Sequence, residues 1–352
     1  MVESNNKHRG FKVFLLIIGL LPLVLMNNNA RKTLIFQVDR LFNKGSDLKL
    51  DTQYNGSNLN YYNDTLIRWK DSKITYLNKD GSENWTKEFD FMNPDIYFGK
   101  EIIYIMDKST GDIYLMDNKG ETKSRIQIEK NIFNLRESNN YFFVHSKEDK
   151  VESLSIFSKD GNSVEKLDIS DYILTYAINQ KGNIYMYSTI IVSEEGLTSL
   201  IHVKNLESDE NYNIELSDEV VIFSEFINDR LILLTDTNLY LTEEGNVTLS
   251  YPHNGNQDIL VKDEEVYLLN NNVLDIVGLN GQSLNRIDLT IDGNRIIDLE
   301  DCIGVFGQKD LVILQNQKEI LKYNGEDEIL RVTGNKKKIA IHYVDKINIF
   351  RL

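Results

Sequence analysis

Five histidines (His8, His145, His202, His253 and His342) and one cysteine, Cys302, are the first places to look for chemistry in this 352-residue sequence. No two of the histidines stand at metal-ligand spacing, so a structural or solvent-facing role is expected for each. A single cysteine excludes an intrachain disulfide framework and any cysteine-based metal cluster. The sequence has no Ser-x-x-Lys, no Gly-x-Ser-x-Gly and no glycine loop that would cradle a phosphate. The sequence therefore predicts a protein that is not an enzyme, with no catalytic residue, no cofactor site and no metal site.

What remains is carboxylate. Acidic residues collect in the polar stretches between apolar runs: Asp90 and Asp95, Asp168 and Asp171, Asp218 and Glu219, Asp258, Asp288 and Asp292, Glu326 and Asp327. Tight turns add Glu148, Asp149, Glu194 and Glu195. Such a set serves either as ordinary loop polarity or as an acidic rim that docks a cationic partner or Ca²⁺. Glu148, Asp149, Glu194, Glu195, Asp218 and Glu219 are the partner-binding candidates. Val192–Ser199, with Glu194 and Glu195 beside Gly196, is the longest hairpin insertion and the expected first contact.

The elements that position these acids repeat along the chain. In Ile102–Ile128 an apolar strand meets the turn Lys108-Ser109-Thr110-Gly111, a second strand follows, and Gly120 closes a turn into a polar third strand. β-branched and aromatic residues dominate the apolar runs, as buried strands require. The glycine turn recurs at Gly81, Gly120, Gly161, Gly245 and Gly281, at intervals of 39, 41, 84 and 36 residues. The long interval hides one unit with the degenerate turn 205–209. Two more units lack the glycine. A period of 35–50 residues with four strands each is the mark of a β-propeller. Inner strand pairs beginning near Leu66, Ile102, Tyr141, Ile184, Leu231, Val266, Ile303 and Lys338 predict eight blades, with seven as the alternative. The last unit stops one strand short, and Asp47–Tyr54 is expected to supply its outer strand.

The turns carry a family resemblance. Ile74-Thr75-Tyr76-Leu77-Asn78-Lys79-Asp80-Gly81 followed by Trp85, and Asp107-Lys108-Ser109-Thr110-Gly111, resemble the PQQ-like propeller repeat. The resemblance covers about residues 47–352. With an anchor in front, the chain resembles membrane-anchored propellers of Gram-positive bacteria. It is more distantly similar to the propeller lipoprotein of the outer-membrane assembly machine, though a lipidation cysteine is missing. Only Trp85 fills the repeat's tryptophan position and there is no adjacent cysteine pair, so the resemblance does not imply a quinone cofactor. The same stretch looks superficially like the Asp-box of sialidases, but Asp80 abuts Gly81 and the eleven arginines are scattered singly.

Charge and the N-terminus set the address. Residues 1–45 carry seven Lys/Arg and two Asp/Glu, leaving 32 basic and 52 acidic residues in the body, a net of −20. A body that acidic repels nucleic acid and anionic headgroups, so neither is an expected partner. Lys7, Arg9 and Lys12 precede the uncharged run Val13–Met26. As a helix this run covers about 21 Å of a roughly 30 Å hydrocarbon core, and with Phe11 and snorkelling Lys12 and Arg31 it comes close to spanning. A cleaved signal peptide is the alternative, with an ill-fitting site at Asn28-Asn29-Ala30. The expected organisation is a cytoplasmic tail (1–10), a transmembrane signal-anchor (11–27), an amphipathic linker (28–46) and a propeller (47–352). Basic residues before the run place the N-terminus inside and the propeller extracytoplasmic, in the cell membrane. The expected role is a non-enzymatic protein-interaction scaffold of a bacterial envelope. A channel-bound small ligand or enzyme, or a secreted adhesin, are the alternatives.

Overall fold

The computed structural model describes residues 46–49, 59–62, 65–78, 82–148, 151–194, 196–208, 210–279, 284–335 and 337–352. The predicted tail and anchor, and the linker apart from Ser46, lie outside these residues, as do Gly81, Asp149, Glu195 and Gly281. Among the described residues no helix is long and apolar enough to cross a membrane.

The described residues form 32 strands in eight four-stranded antiparallel sheets, an all-β, eight-bladed propeller. Blades 1 to 7 take residues 59–88, 94–127, 132–169, 172–217, 221–252, 258–288 and 295–324 in turn. Blade 8 takes three strands from residues 331–351 and its fourth from Ser46–Lys49. That fourth strand pairs antiparallel with Lys346–Arg351, Ser46 opposite Ile349 and Lys49 opposite Lys346. The outer strand expected at Asp47–Tyr54 is present over Ser46–Lys49, residues 50–54 lie outside the described residues, and the blades number the expected eight. Residues 62–288, which are blades 2–6 and blade 1 without residues 59–61, form one compact unit, and blades 7 and 8 fall in the other.

The core lies between successive sheets, and strand periodicity assigns each side chain to one side. In the second strand of blade 2, Ile103–Asp107, every residue is buried. Ile103 and Ile105 pack toward blade 1 with Ile67, Ile74 and Phe89. Tyr104 and Met106 pack toward blade 3 with Leu135, Phe142 and Val144. A strand covered on both faces reads as a continuous apolar run rather than an alternating one. Equivalent clusters join blades 3 and 4, 4 and 5, and 5 and 6, and within the other unit blades 7 and 8. Each fully buried large apolar side chain contributes about 1.5–3 kcal/mol over its exposed state.

This burial corrects the strand order. The pairs read from the sequence as inner are the second and third strands of each blade, its middle. The innermost strands are more polar and half-buried, as in Pro94–Phe98 and Asp258–Lys262. A second correction concerns the acids assigned to links. Asp95, Asp168, Asp258 and Asp288 lie within strands, because the ladders run to the edge of the sheet. Val192–Ser199 is likewise mostly strand: Ile184–Ser193 and Gly196–Asn205 form one hairpin with ten residues in each strand.

Gly120, Gly161 and Gly245 adopt φ of +86°, +89° and +82°, in the region where L side chains are strained. Close approach is a second reason for glycine. A Cβ on Gly120 would overlap the ring of Trp85, which stacks on Tyr76 with centroids 4.2 Å apart. Ser124 and Tyr212 approach Gly161 and Gly245 in the same way, so the outer strand of one blade seats on the turn of the next.

Candidate interaction face

In every blade, links to the neighbouring blade and the turn between second and third strands share one edge of the sheet. Among the described residues of blades 1–6 this linker edge holds eight of the ten exposed large apolar side chains. They are Met92, Phe133, Val151, Tyr172, Ile191, Val192, Leu197 and Ile222; only Leu206 and Val247 lie at the opposite edge. The chain thus leaves its apolar surface on one side of the unit.

The same edge carries the predicted acids of blades 3 to 5. Glu148 ends the second strand of blade 3 and is exposed. Glu194 is exposed at the tip of the blade 4 hairpin. Asp218, at φ +60°, donates its backbone N–H to the Leu197 carbonyl (2.7 Å). A Cβ on Gly196 would come within 2.6 Å of Asp218 Oδ1, so the hairpin tip and Asp218 are brought together. Glu219 differs, because its carboxylate is held by other side chains. It accepts from Tyr240 Oη (2.6 Å), Asn238 Nδ2 (3.2 Å) and Thr235 Oγ1, and its carbonyl accepts from Ser199 Oγ (2.8 Å). Asp168 is similarly held by Lys130 (2.9 Å) and Ser153 (2.6 Å). Glu148, Asp171, Glu194 and Asp218 have no hydrogen bond or ion pair to their carboxylates within the described residues.

Beside these acids stands a cluster that sequence reasoning missed. Phe133 and Tyr172 sit at the starts of the first strands of blades 3 and 4, 57% and 66% exposed. Lys147 Nζ lies between them, 5.7 Å from the Phe133 centroid and 5.0 Å from that of Tyr172. It is fixed there by buried Glu152, whose Oε1 is 2.7 Å away. Glu152 Oε2 accepts from the Ile173 N–H (2.8 Å) and faces His145 Nε2 (3.0 Å). Burial alone would raise the Glu152 carboxyl. The Lys147 and Ile173 hydrogen bonds and the Lys147 charge outweigh it and hold the carboxyl below its usual range. Burial pushes His145 down, against the pull of Glu152, so the imidazole is held neutral. Phe133 packs edge-on against that imidazole at 5.0 Å. Two exposed rings are thereby clamped on a lysine whose charge is already matched.

Elsewhere the polar groups tie elements together. Arg136, on the first strand of blade 3, donates to Thr175 Oγ1 (3.2 Å) of blade 4 and to the Ser224 carbonyl (3.0 Å) of blade 5. Glu225 stands 4.0 Å from Arg136, and burial pushes its carboxyl up against the lowering effect of Arg136. A polar hollow of about 580 Å³ beside blades 3 and 4 is lined by Glu165, Tyr185, Lys204 and Glu207. The described histidines fall in separate places: His202 stacks on Tyr187, His253 meets the Thr235 carbonyl, and His342 meets Thr333. Among the described residues no three His, Cys, Asp or Glu side chains gather as metal ligands.

The fold recurs in solved structures. BamB from Moraxella catarrhalis matches with a TM-score of 0.51 at 10% identity, over 84% of this chain and 96% of that one. The Pan2 WD40 domain of Neurospora crassa matches with a TM-score of 0.50 at 8% identity, over 73% and 87%. At these identities the likeness is one of fold, and it agrees with the propeller counted from the strands. No curated protein sequence matches the chain. Residues 44–352, the whole of the propeller, match one family description from end to end, and the chain belongs to that family of unknown function, DUF5711.

Proposed function

We propose that this chain is a membrane-anchored, extracytoplasmic propeller that serves as a non-enzymatic protein-interaction scaffold in a bacterial envelope. Residues 1–10 form its cytoplasmic tail, 11–27 its signal-anchor and 28–46 its linker. The observation that carries the reading is the linker edge of blades 3 to 5, where exposed apolar side chains and unpaired carboxylates occur together. Exposed apolar surface concentrated on one side marks an interaction site, and the surrounding acids select a cationic partner. The likeness to the PQQ-like repeat belongs to this reading as blade architecture, with Trp85 seated on the Gly120 turn. The raised carboxyl of Glu225 favours the small-ligand alternative, but each terminal nitrogen of Arg136 beside it already donates within the protein, to Thr175 and Ser224.

Two measurements test it. Protease added to intact, wall-stripped cells should degrade residues 46–352 and spare the extreme N-terminus; protection of the propeller would refute the outside placement. The second uses the variant Glu148→Gln, Asp171→Asn, Glu194→Gln, Asp218→Asn, which keeps shape and removes charge. In crosslinked membranes its recovery of partner at low salt should fall about tenfold or more, chiefly through slower association. Salt should weaken the native complex likewise, since the Debye length shrinks from about 10 Å at 0.1 M to about 3 Å at 1 M. Equal recovery by both proteins at every salt concentration would leave the rim carboxylates with no part in binding.

A further inference from the structure

We infer that the clamped rings Phe133 and Tyr172, with the hairpin tip of blade 4, seat a basic amphipathic polypeptide segment; this rests on the scaffold reading and names its partner class. The hairpin supplies the second wall. Its outermost rungs, Val192 opposite Leu197 and Ser193 opposite Gly196, extend past the neighbouring strands, which stop at Tyr172 opposite Ile190 and Ser217 opposite Thr198. Val192 is 73% exposed there. Rigid, exposed aromatic side chains bury large area on binding with little loss of conformational freedom, which is how interface hot spots work. Lys147 orders the rings without adding net charge, because Glu152 neutralises it.

The chemistry of the surroundings selects the occupant. Glu148, Asp171, Glu194 and Asp218 leave a net negative surface around an apolar centre, so the complement is apolar on one side and cationic at its margins. A glycan would use the rings and the carboxylates but has no use for the aliphatic tip of Val192 and Leu197. An anionic lipid surface is repelled by the same carboxylates. A polypeptide with leucine-like residues along one face and lysine or arginine at its flanks satisfies both halves.

The test uses the full chain in zwitterionic lipid nanodiscs, with empty nanodiscs as the blank. The probe is a short leucine–lysine peptide with its leucines at i, i+3, i+4 and i+7. Phe133→Ser and Tyr172→Ser should each weaken its binding about tenfold or more. Val247→Ser, at the opposite edge, should leave it unchanged. The four-carboxylate variant should weaken binding and flatten its salt dependence. Peptide affinity that survives both ring substitutions but falls with the carboxylates overturns the seat and leaves the acidic scaffold standing. Affinity indifferent to the carboxylates overturns the cationic partner and the scaffold reading with it. Binding of a chitin oligosaccharide, lost on ring substitution while the peptide does not bind, makes the rings a sugar site and overturns the inference.

Discussion

Deletion of residues 47–54 is expected to abolish cooperative unfolding of the propeller and turn it into an aggregating species. The segment is small, and most of it lies outside the described residues, yet its first residues complete blade 8. Ser46–Lys49 pairs over four positions with the third strand of that blade. Deletion leaves the backbone donors and acceptors of Lys346–Arg351 without that partner and uncovers the edge beside Ile347 and Phe350, both buried. Each lost hydrogen bond contributes about 0.5–1.5 kcal/mol net, and a domain's whole stability is about 5–15 kcal/mol. An unpaired strand of this composition is also a template for pairing between molecules. Thermal melting should show a broad, concentration-dependent transition well below that of the intact chain, and size exclusion should show large species. A truncation starting at Gly56 that melts like the intact propeller, monomeric, would refute the closing role.

How much of this was legible follows from what each feature depends on. The blade count was readable because middle strands are covered on both faces, so Ile103–Asp107 announces itself as an apolar run whatever its neighbours are. The glycine turns were readable because φ near +86° at Gly120 leaves few alternatives. The first strands were not, because a half-buried strand such as Pro94–Phe98 carries no clear periodicity. The same limit hid the ends of strands, and acids such as Asp95 and Asp168 looked like loop residues. Among the candidate acids, sequence placed Glu148 and Glu194 in turns and Asp218 between apolar runs, and topology alone brings those segments to one edge. It could not separate free Asp218 from engaged Glu219, one position apart, because the difference is made by Tyr240 and Asn238 some twenty residues on. The ring clamp depends on two successive blades meeting, which composition does not encode. One part of it was available: with the turn placed at residues 149 and 150, Lys147 falls opposite Glu152, and His145 lies on the face of Lys147.

The clamp's foundation gives the other large effect. Glu152→Ala is expected to cost about 1–3 kcal/mol, because it removes the buried acceptor shared by the Ile173 N–H, His145 and the exposed Lys147. Here the Ile173 N–H loses its acceptor, and Lys147 is left between two rings with no counter-charge. The pH dependence gives the sign. The folded carboxyl of Glu152 is held below its ordinary value of 4.5, so its contribution is complete above that value and lost as pH falls through the folded one. His145 acts in the same direction. Its folded value lies below 6.5, so on acidification the unfolded chain takes up a proton that the native imidazole resists. The native protein should therefore lose stability steadily from pH 7 toward pH 4. Glu152→Gln, which keeps the volume and one acceptor, should be less costly than alanine and should lose only the steepest, most acidic part of that decline. Denaturant titrations of the three proteins at several pH values measure both effects. If Glu152→Ala unfolds at the native denaturant midpoint at pH 7, the ion pair is not what holds blades 3 and 4 at this edge. If it is destabilised as expected, Glu152→Gln still resolves the charge, because a neutral amide cannot titrate. A native-like decline below pH 4.5 in that variant would then assign the acid sensitivity to another carboxylate.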